Sequence, residues 1–393
     1  MRVRPITYAL RALAVVLICA TSLHAMRAAL PPPTTADARP ATTAVATRVP
    51  MTTTATAPTA TVPPSHTPGV AVAGTRIVDT RTGRAITLVG ASRSGLEYSC
   101  TGDGHFQPAD FAAMRAWGMN VVRLTLSSEL WANHAGACPG YRALVRVAVA
   151  NAEAQGLYVI LALQWTAPFD TSLDRAHGGA QCPMPDGKQD VSFWRDLAAL
   201  YHGDQRVIFD LMGEPYGVSF AVWENGGPIT AGCDVIGGGV AHESGVYQAI
   251  GMRDLVTVVR DGAPENVLIL SGTNWGYELS GVASGHAIAG GNILYGTHPW
   301  NYGGKQPQDW DASFGALAAR YPVIATEFGS YDCGTRYTAQ AIAYFTARHI
   351  SWLAWSWNLG GCGQPALISD WSGTPTAPYG AYLMEQMRRA AHG

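Results

Sequence analysis

Two glutamates, Glu214 and Glu327, each follow a short and mostly apolar run of residues. The segments read VIFDLMGEPYG (207–217) and PVIATEFGS (322–330). Such runs of Val and Ile predict buried parallel strands with a carboxylate at the end of each. Glycoside hydrolysis needs two carboxylates, one to protonate the leaving oxygen and one to attack or stabilise the sugar cation. A single glutamate at a strand end is usually a solvated residue, but two on strands of one barrel favour a shared site.

Apolar runs alternate with amphipathic stretches from about residue 69 onward, and this order predicts an α/β fold, a (β/α)8 TIM barrel with a single catalytic domain. The predicted strands are 86–90, 121–126, 158–163, 207–211, 267–270, 293–295, 323–325 and 352–355. The predicted helices are 108–117, 141–155, 193–202, 247–260, 314–320, 338–349 and 379–391. A doubly wound open sheet is the alternative, but GASRSG (90–95) lacks the GxGxxG spacing of a phosphate loop.

Chemistry in such a barrel belongs at the C-terminal ends of the strands. Polar and aromatic side chains collect at the predicted ends: Arg123, Gln164, Trp165, Glu214, Trp275, His298, Trp300, Glu327, Trp355 and Trp357. A tryptophan just beyond a strand end can stack on a sugar face, although packing is the default role for any one of them.

The composition excludes some partners. The chain has 393 residues, 14% charged residues and a net charge of -2, without a basic run. Nucleic-acid binding needs clustered Lys and Arg, so we expect no nucleic-acid partner. The aromatic residues are 12 Trp and 16 Tyr against 9 Phe, a bias that suits contacts with sugars.

The N-terminal part predicts export. Three arginines precede an apolar stretch at 12–23, which is too short to span a bilayer comfortably, so residues 1–25 are interpreted as a signal peptide. Residues 26–68 form a Pro/Thr/Ala-rich linker that we expect to be disordered, and 69–393 is the catalytic domain. We therefore expect a secreted protein without an integral membrane span in the mature chain; an uncleaved signal would instead anchor it to the membrane.

Seven cysteines are present, and Cys19 falls within the signal. An even number remains, which favours disulfides in an exported chain. No CxxC pair occurs, so a zinc site is not expected, and the sequence predicts no other metal site and no cofactor. Proximity of loops in the predicted barrel favours three pairs among the many connectivities that six cysteines allow: Cys100–Cys138, Cys182–Cys233 and Cys333–Cys362.

Several ordered motifs, GASRSGLEY, GMNVVRL, DLMGEPYG, GTHPW, ATEFGS and AWSWN, resemble those of glycoside hydrolase family 5, the cellulase family. The likeness covers nearly all of 75–390. That family is a (β/α)8 group of retaining enzymes with glutamates on the fourth and seventh strands. The resemblance implies that Glu214 is the acid/base and Glu327 the nucleophile, and that Arg123 binds the nucleophile. It also implies that His298 is the histidine of a His-x-Tyr motif and that Trp355 forms the floor of the -1 sugar subsite.

Three positions depart from the family pattern. The Asn whose amide contacts the sugar 2-hydroxyl is replaced by Gly213, and the His that ends the third strand is replaced by Gln164. Trp300 stands in place of the Tyr of the His-x-Tyr motif, and Tyr302 could reach the same space. A hydrogen bond to the 2-hydroxyl tightens in the transition state, so its loss costs rate unless another donor substitutes.

The resemblance implies a retaining hydrolase of β-linked polysaccharide or oligosaccharide, similar to an endo-β-1,4-glucanase and acting as a monomer. One alternative is a pseudoenzyme that binds glycans without cleaving them, which Gly213 and Gln164 would favour. Within the same class, a β-mannanase or a transglycosylase would fit the same motifs.

The two glutamates need different protonation states for these roles. Arg123 beside Glu327 is predicted to favour the ionised form of that carboxyl. Glu214, with the apolar neighbours Met212 and Pro215, is predicted to hold its proton longer.

Overall fold

The computed structural model describes residues 68–166, 181–230, 232–234, 240–241 and 246–392. Within these residues the strands form a closed parallel barrel, which confirms the predicted fold. In chain order the barrel strands are β1 Val89–Arg93, β2 Val121–Ser127, β3 Tyr158–Trp165, β4 Val207–Asp210, β5 Leu268–Ser271, β6 Ile293–Thr297, β7 Val323–Ala325 and β8 Ser351–Ala354.

Helices occupy the connections between strands and pack against the outside of the barrel. Among the described residues the α-helices of five or more residues are α1 Pro108–Ala116, α2 Ser128–Ala132, α3 Tyr141–Ala154, α4 Gln189–Leu200, α5 Phe220–Asn225, α6 Met252–Gly262, α7 Arg336–Arg348 and α8 Tyr379–His392. In this part of the chain no helix combines the length and the apolar character that crossing a membrane would require.

Successive side chains of a strand point to opposite faces of the sheet, so each barrel strand contributes side chains to two cores. In β2, Val122 and Leu124 belong to the large core between the barrel and the helices. Val121 belongs instead to the smaller core inside the barrel. Two residues further along the same face, Arg123 is fully buried. The side chains inside the barrel therefore change from apolar at Val121 to charged at Arg123, two residues further along β2.

A small antiparallel sheet closes the end of the barrel opposite to the C-terminal strand ends. Its strands are Val70–Ala73, Arg76–Asp79 and Ala85–Ile86. Val70 and Ile77 pack into the apolar core inside the barrel. This end is therefore sealed by apolar side chains, and access to the barrel is left to the opposite end.

Three predicted elements differ from the structure. The first barrel strand lies at Val89–Arg93 rather than 86–90, because Ala85–Ile86 pairs with the small sheet and the barrel strand continues through polar residues. The helix predicted from 247 begins at Met252, since Tyr247–Ala249 pairs with Gly227–Ile229 as a strand. The helix predicted at 314–320 consists of irregular single turns.

Three disulfides join loops that follow neighbouring strands, in the pairs that barrel proximity suggested. They are Cys100–Cys138, Cys182–Cys233 and Cys333–Cys362, with Cα–Cα distances of 5.2, 4.2 and 5.4 Å. Each bridge connects loops at the open end of the barrel, so each restrains the segments that surround the candidate site.

Candidate active site

The C-terminal ends of the strands open into a cleft of about 1160 Å³. Most of the site residues predicted from the sequence line it: Gln164, Trp165, Glu214, Trp275, Trp300, Tyr302, Glu327 and Trp355. Arg123, Gly213 and His298 lie just behind this lining and contact the two glutamates or their neighbours. Trp357, also predicted at a strand end, is instead fully buried and packs edge-on against Trp117. The structure therefore brings the rest of the predicted set together at one end of the barrel.

Glu327 follows β7 and is only 2% exposed. Arg123 Nη1 donates a hydrogen bond to Glu327 Oε1 at 2.6 Å. The guanidinium is held from its other side as well, because Arg123 Nε donates to Asp210 Oδ2 at 2.8 Å. The arginine is thus fixed between two carboxylates, and it orients the Glu327 carboxylate toward the cleft.

Glu214 lies just past the end of β4 and receives hydrogen bonds from three sides. Gln164 Nε2 donates to Glu214 Oε2 at 2.9 Å, and Gln181 Nε2 donates to the same oxygen at 2.6 Å. His298 Nδ1 lies 3.1 Å from Glu214 Oε1. An ionised carboxylate accepts all three contacts, so this surrounding favours the charged form.

The sequence-based prediction that Glu214 holds its proton longer is wrong, whereas the predicted effect of Arg123, which favours the ionised form of Glu327, is confirmed. Burial alone would raise the pKa of the Glu214 carboxyl, but hydrogen bonds from His298 and Gln181 and the charge of Lys305 hold it below its usual value. Burial raises the pKa of Glu327, and the Glu214 charge adds to this, although Arg123 opposes it. The polar donors around Glu214 outweigh its apolar neighbours, which the sequence-based view had emphasised.

His298 follows β6 and is fully buried between the two glutamates. Its Nε2 lies 2.8 Å from Thr326 Oγ1, and its Nδ1 is 3.8 Å from Glu327 Oε2. A single neutral tautomer satisfies the ring if Nδ1–H donates to Glu214 and Nε2 accepts from the Thr326 hydroxyl. In this arrangement His298 contacts Glu214 directly.

The carboxylates of Glu214 and Glu327 are close to each other. One oxygen of each, together with a ring nitrogen of His298, lies within a group whose atoms are at most 4.8 Å apart. Two carboxylates and an imidazole at this spacing are also possible ligands for a divalent cation. Arg123 places a fixed positive charge against Glu327, and this charge opposes binding of a cation there.

Aromatic rings line both sides of the glutamates. Trp300 packs between Tyr331 and Trp355, with ring centroids 4.9 and 6.1 Å away. On the side of the β4 and β5 loops, Trp275 stacks on Tyr216 with ring centroids 3.9 Å apart. The cleft thus offers flat apolar faces on both sides of the carboxylate pair, as sugar rings require.

The remaining aromatic residues divide between cleft and core. Trp165 and Tyr302 line the cleft, and Tyr302 is 52% exposed. Trp371 also lines it and stacks on His105 at 4.2 Å. Trp223 is fully buried and donates its indole N–H to Ser271 O, so it serves the core.

Among the cleft residues that the sequence analysis missed are Glu97, Gln181 and Lys305. Lys305 Nζ donates to Asn274 O at 3.0 Å, and burial lowers the pKa of Lys305 to about 8 against the opposing charges of the two glutamates. Lys305 is the lysine of a Gly-rich loop that follows β6, and Gln181 adjoins a disulfide cysteine. A lysine in a Gly-rich loop past a strand end was the available signal, whereas nothing in the sequence marked Gln181.

Comparison with known proteins agrees with this geometry. The family model for cellulase (glycosyl hydrolase family 5) matches residues 84–361. This match covers more than half of the chain, so the chain belongs to glycosyl hydrolase family 5. The predicted resemblance is confirmed.

Curated relatives carry endoglucanase names. The chain is 23% identical to Endoglucanase N of Pectobacterium atrosepticum over 335 residues, which are 81% of this chain and 65% of the relative. It is 22% identical to Endoglucanase E-5 of Thermobifida fusca over 346 residues, which are 81% of this chain and 63% of the relative. Endoglucanase C of Evansella cellulosilytica is matched over only 26% of its length. The chain therefore spans from about a quarter to two thirds of the length of these relatives.

A solved structure with the same fold is a beta-glucanase of Saccharophagus degradans in complex with cellotetraose. It has a TM-score of 0.63 and 22% identity, and the match covers 82% of this chain and 94% of that chain. The catalytic domain of an endoglucanase of Thermobifida fusca has a TM-score of 0.59 and 19% identity, covering 81% and 97%. At these identities the two structures show a shared fold, which agrees with the closed parallel barrel of this chain.

Proposed function

We propose that the chain is a retaining glycoside hydrolase of β-linked glucan, with Glu327 as nucleophile and Glu214 as acid/base. One observation carries the proposal: the half-buried carboxylate of Glu214 and the buried carboxylate of Glu327 have oxygens within 4.8 Å of each other in the cleft. Retaining enzymes hold their carboxyl groups about 5–5.5 Å apart, whereas inverting enzymes leave about 6.5–9.5 Å for a water molecule.

The first chemical step follows from the contacts of each glutamate. Glu327, oriented by Arg123, attacks the anomeric carbon while the bond to the leaving oxygen breaks. Glu214 gives its proton to that oxygen. A glycosidic oxygen can only accept a hydrogen bond, so its arrival against Glu214 favours the protonated carboxyl and opposes the contacts from Gln181 and His298, which favour the ionised form.

The second step releases the sugar from the enzyme. Once Glu327 is an ester its charge is gone, and the ionised Glu214 can remove a proton from water. The water oxygen attacks the anomeric carbon, and Glu327 leaves as a carboxylate that Arg123 stabilises. The hydrogen bonds from Gln181 and His298, which favour the ionised form of Glu214, suit this base role.

Export and a monomeric state are part of the same proposal. A chain with three disulfides suits an oxidising compartment, which agrees with the signal peptide predicted at 1–25 and the linker predicted at 26–68, residues that lie almost wholly outside the described part. The cleft is built from one chain, so a monomer suffices for the chemistry. Cell fractionation and size-exclusion chromatography test these two points.

The decisive experiment measures turnover by the purified chain on β-glucan, mannan, xylan and aryl β-glycosides, with Glu327→Gln as the inactive control. NMR of the first-formed product should show retained anomeric configuration. Turnover of mannan alone would identify a mannanase, and transfer to sugar acceptors would identify a transglycosylase. Binding of glycans without turnover would replace the proposal with the pseudoenzyme, and inversion would remove Glu327 as nucleophile.

A further inference from the structure

The residue before Glu214 is a glycine for reasons of space. A Cβ built on Gly213 would lie 2.2 Å from Gln164 Oε1 and 2.5 Å from Arg123 Nη2. The backbone of Gly213 is not among the positive-φ conformations of the chain, so its conformation alone would accept other residues. The room that a side chain at position 213 would need is taken by the amide of Gln164.

The Gln164 amide has a defined orientation. Its Oε1 accepts from Arg123 Nη2 at 2.9 Å, and its Nε2 donates to Glu214 Oε2 at 2.9 Å. The reverse orientation would put an N–H against the guanidinium and an oxygen against the carboxylate. The amide nitrogen therefore lies on the side of Glu214, and the side chain is only 4% exposed.

An amide nitrogen carries two hydrogens, and only one of them is used by Glu214. Among the described residues the second N–H has no partner, and Gln164 lines the cleft. Gln164 is also linked to both halves of the carboxylate pair, through Arg123 to Glu327 and directly to Glu214. A neutral donor is thus held at the place where the reacting sugar carbon and its neighbours must sit.

We propose that the free N–H of Gln164 binds the 2-hydroxyl of the sugar that Glu327 attacks, and that Gly213 is the partner substitution that makes room for this amide. The proposal rests on the glycosidase function proposed above. It assigns to Gln164, a side chain of β3, a hydrogen bond that tightens as the transition state forms. Gln164 would then contact substrate as well as orient Arg123 and Glu214.

The test compares two aryl β-cellobiosides, one natural and one that lacks the 2-hydroxyl on the aryl-bearing sugar. In the full chain, Gln164→Leu should lower kcat/KM about 10- to 100-fold on the natural substrate and much less on the 2-deoxy substrate. A purely structural role through Arg123 and Glu214 would lower both values equally, and that result would overturn the proposal. No turnover by the unmodified chain would overturn the proposed function itself, which separates the two failures.

The link to Gly213 is tested by a pair of backgrounds. Gly213→Asn should lower kcat/KM in the original chain, because its side chain would meet the Gln164 amide. In a Gln164→Ala background the same change should raise kcat/KM, because the vacated room admits the new amide. Gly187→Ala is the matched control, since its Cβ would meet only Gln248 O at 3.6 Å. Effects of equal sign in both backgrounds would overturn the pairing of the two positions.

Discussion

The lower and upper halves of the barrel interior are built from the same strands but from opposite kinds of side chain. The lower half is apolar, and its main residues are Leu88, Val121, Ile160, Ile208, Ile269, Leu294, Ile324 and Leu353. The upper half is polar although equally buried, and it contains Ser92, Arg123, Asp210, Ser271, His298 and Glu327. Two residues along a strand separate one half from the other.

The two halves of the barrel interior contribute differently to stability and to chemistry. Burying apolar area in the lower half stabilises the fold directly. Burying charges in the upper half is tolerated only because the charges are paired: Arg123 contacts both Asp210 and Glu327. We therefore expect changes in the upper half to affect function, and stability as well where they break the buried ion pairs, and changes in the lower half to affect stability alone.

The largest effect is expected for Glu327→Gln. It should lower kcat by at least about 10⁴-fold, because the amide cannot form the glycosyl ester. The thermal midpoint should remain close to that of the original chain, since the amide oxygen still accepts from Arg123. Calorimetry and turnover of an aryl β-cellobioside measure the two quantities. Residual turnover above a few per cent would contradict the assignment of the nucleophile.

The next effect depends on the leaving group. Glu214→Gln should lower turnover of unactivated glucan by about 10²–10⁴-fold, because these substrates need a proton on the leaving oxygen. The effect on formation of the glycosyl enzyme from a dinitrophenyl glycoside should be far smaller, since that leaving group departs without a proton. Rapid-mixing measurements on both substrates separate the cases. Equal losses would contradict the acid role.

The upper and lower halves can be compared directly by one substitution in each. Arg123→Met should lower the free energy of unfolding by about 3–5 kcal/mol, because Asp210 and Glu327 lose their buried cation. Ile269→Val, in the lower half, should cost only about 0.5–1.5 kcal/mol and leave kcat/KM unchanged. Urea unfolding and kinetics on both variants give the comparison. Lost activity in Ile269→Val would contradict the division between the halves.

The sequence revealed the residues that end regular strands. Glu214 and Glu327 follow apolar runs whose outward and inward faces are both buried, so the strands and the carboxylates after them could be predicted together. The predicted position of β1 was three residues too early, because the upper part of this strand, Ser92 and Arg93, is polar and contributes to the upper half of the barrel. A hydrophobic pattern in the sequence cannot predict the extent of a strand whose inward-facing side chains are polar or charged.

The residues from loops were harder to predict. Gln181 donates to Glu214 and is next to Cys182, which is bonded to Cys233, and nothing local in the sequence indicates that contact. The protonation of Glu214 was mispredicted for the same reason, since its donors come from other loops and strands. Gly213 and Gln164 stood out in the sequence as separate departures, and only their contact in space shows that they form one feature.

The smallest effect concerns the pH dependence of stability, which we expect to arise in the upper half, where buried carboxylates such as Asp210 and Glu327 lie. Glu97 lies near the cleft and is 3% exposed, and burial raises the pKa of its carboxyl from 4.5 to about 7 against hydrogen bonds from Thr125 and Gly95. A folded-state pKa above the unfolded value means that the native chain binds more protons between pH 4.5 and 7. The resulting stability is present below about pH 4.5 and is lost as the pH rises through 7.

Glu97→Gln should remove this pH dependence, because the amide is neutral at every pH and its oxygen can still accept from Gly95 N and Thr125 Oγ1. The original chain should lose up to about 3 kcal/mol more than the variant between pH 4.5 and 7.5. Urea unfolding of both proteins at several pH values, with the disulfides intact, measures the difference. Burial also raises the pKa of Glu153 to about 7. The contribution of such groups to the pH dependence is the same in both proteins, so it cancels in the difference between them. Parallel stability curves would show that Glu97 is charged in the folded chain, and the upper half would then hold one more buried negative charge than the pairing around Arg123 accounts for.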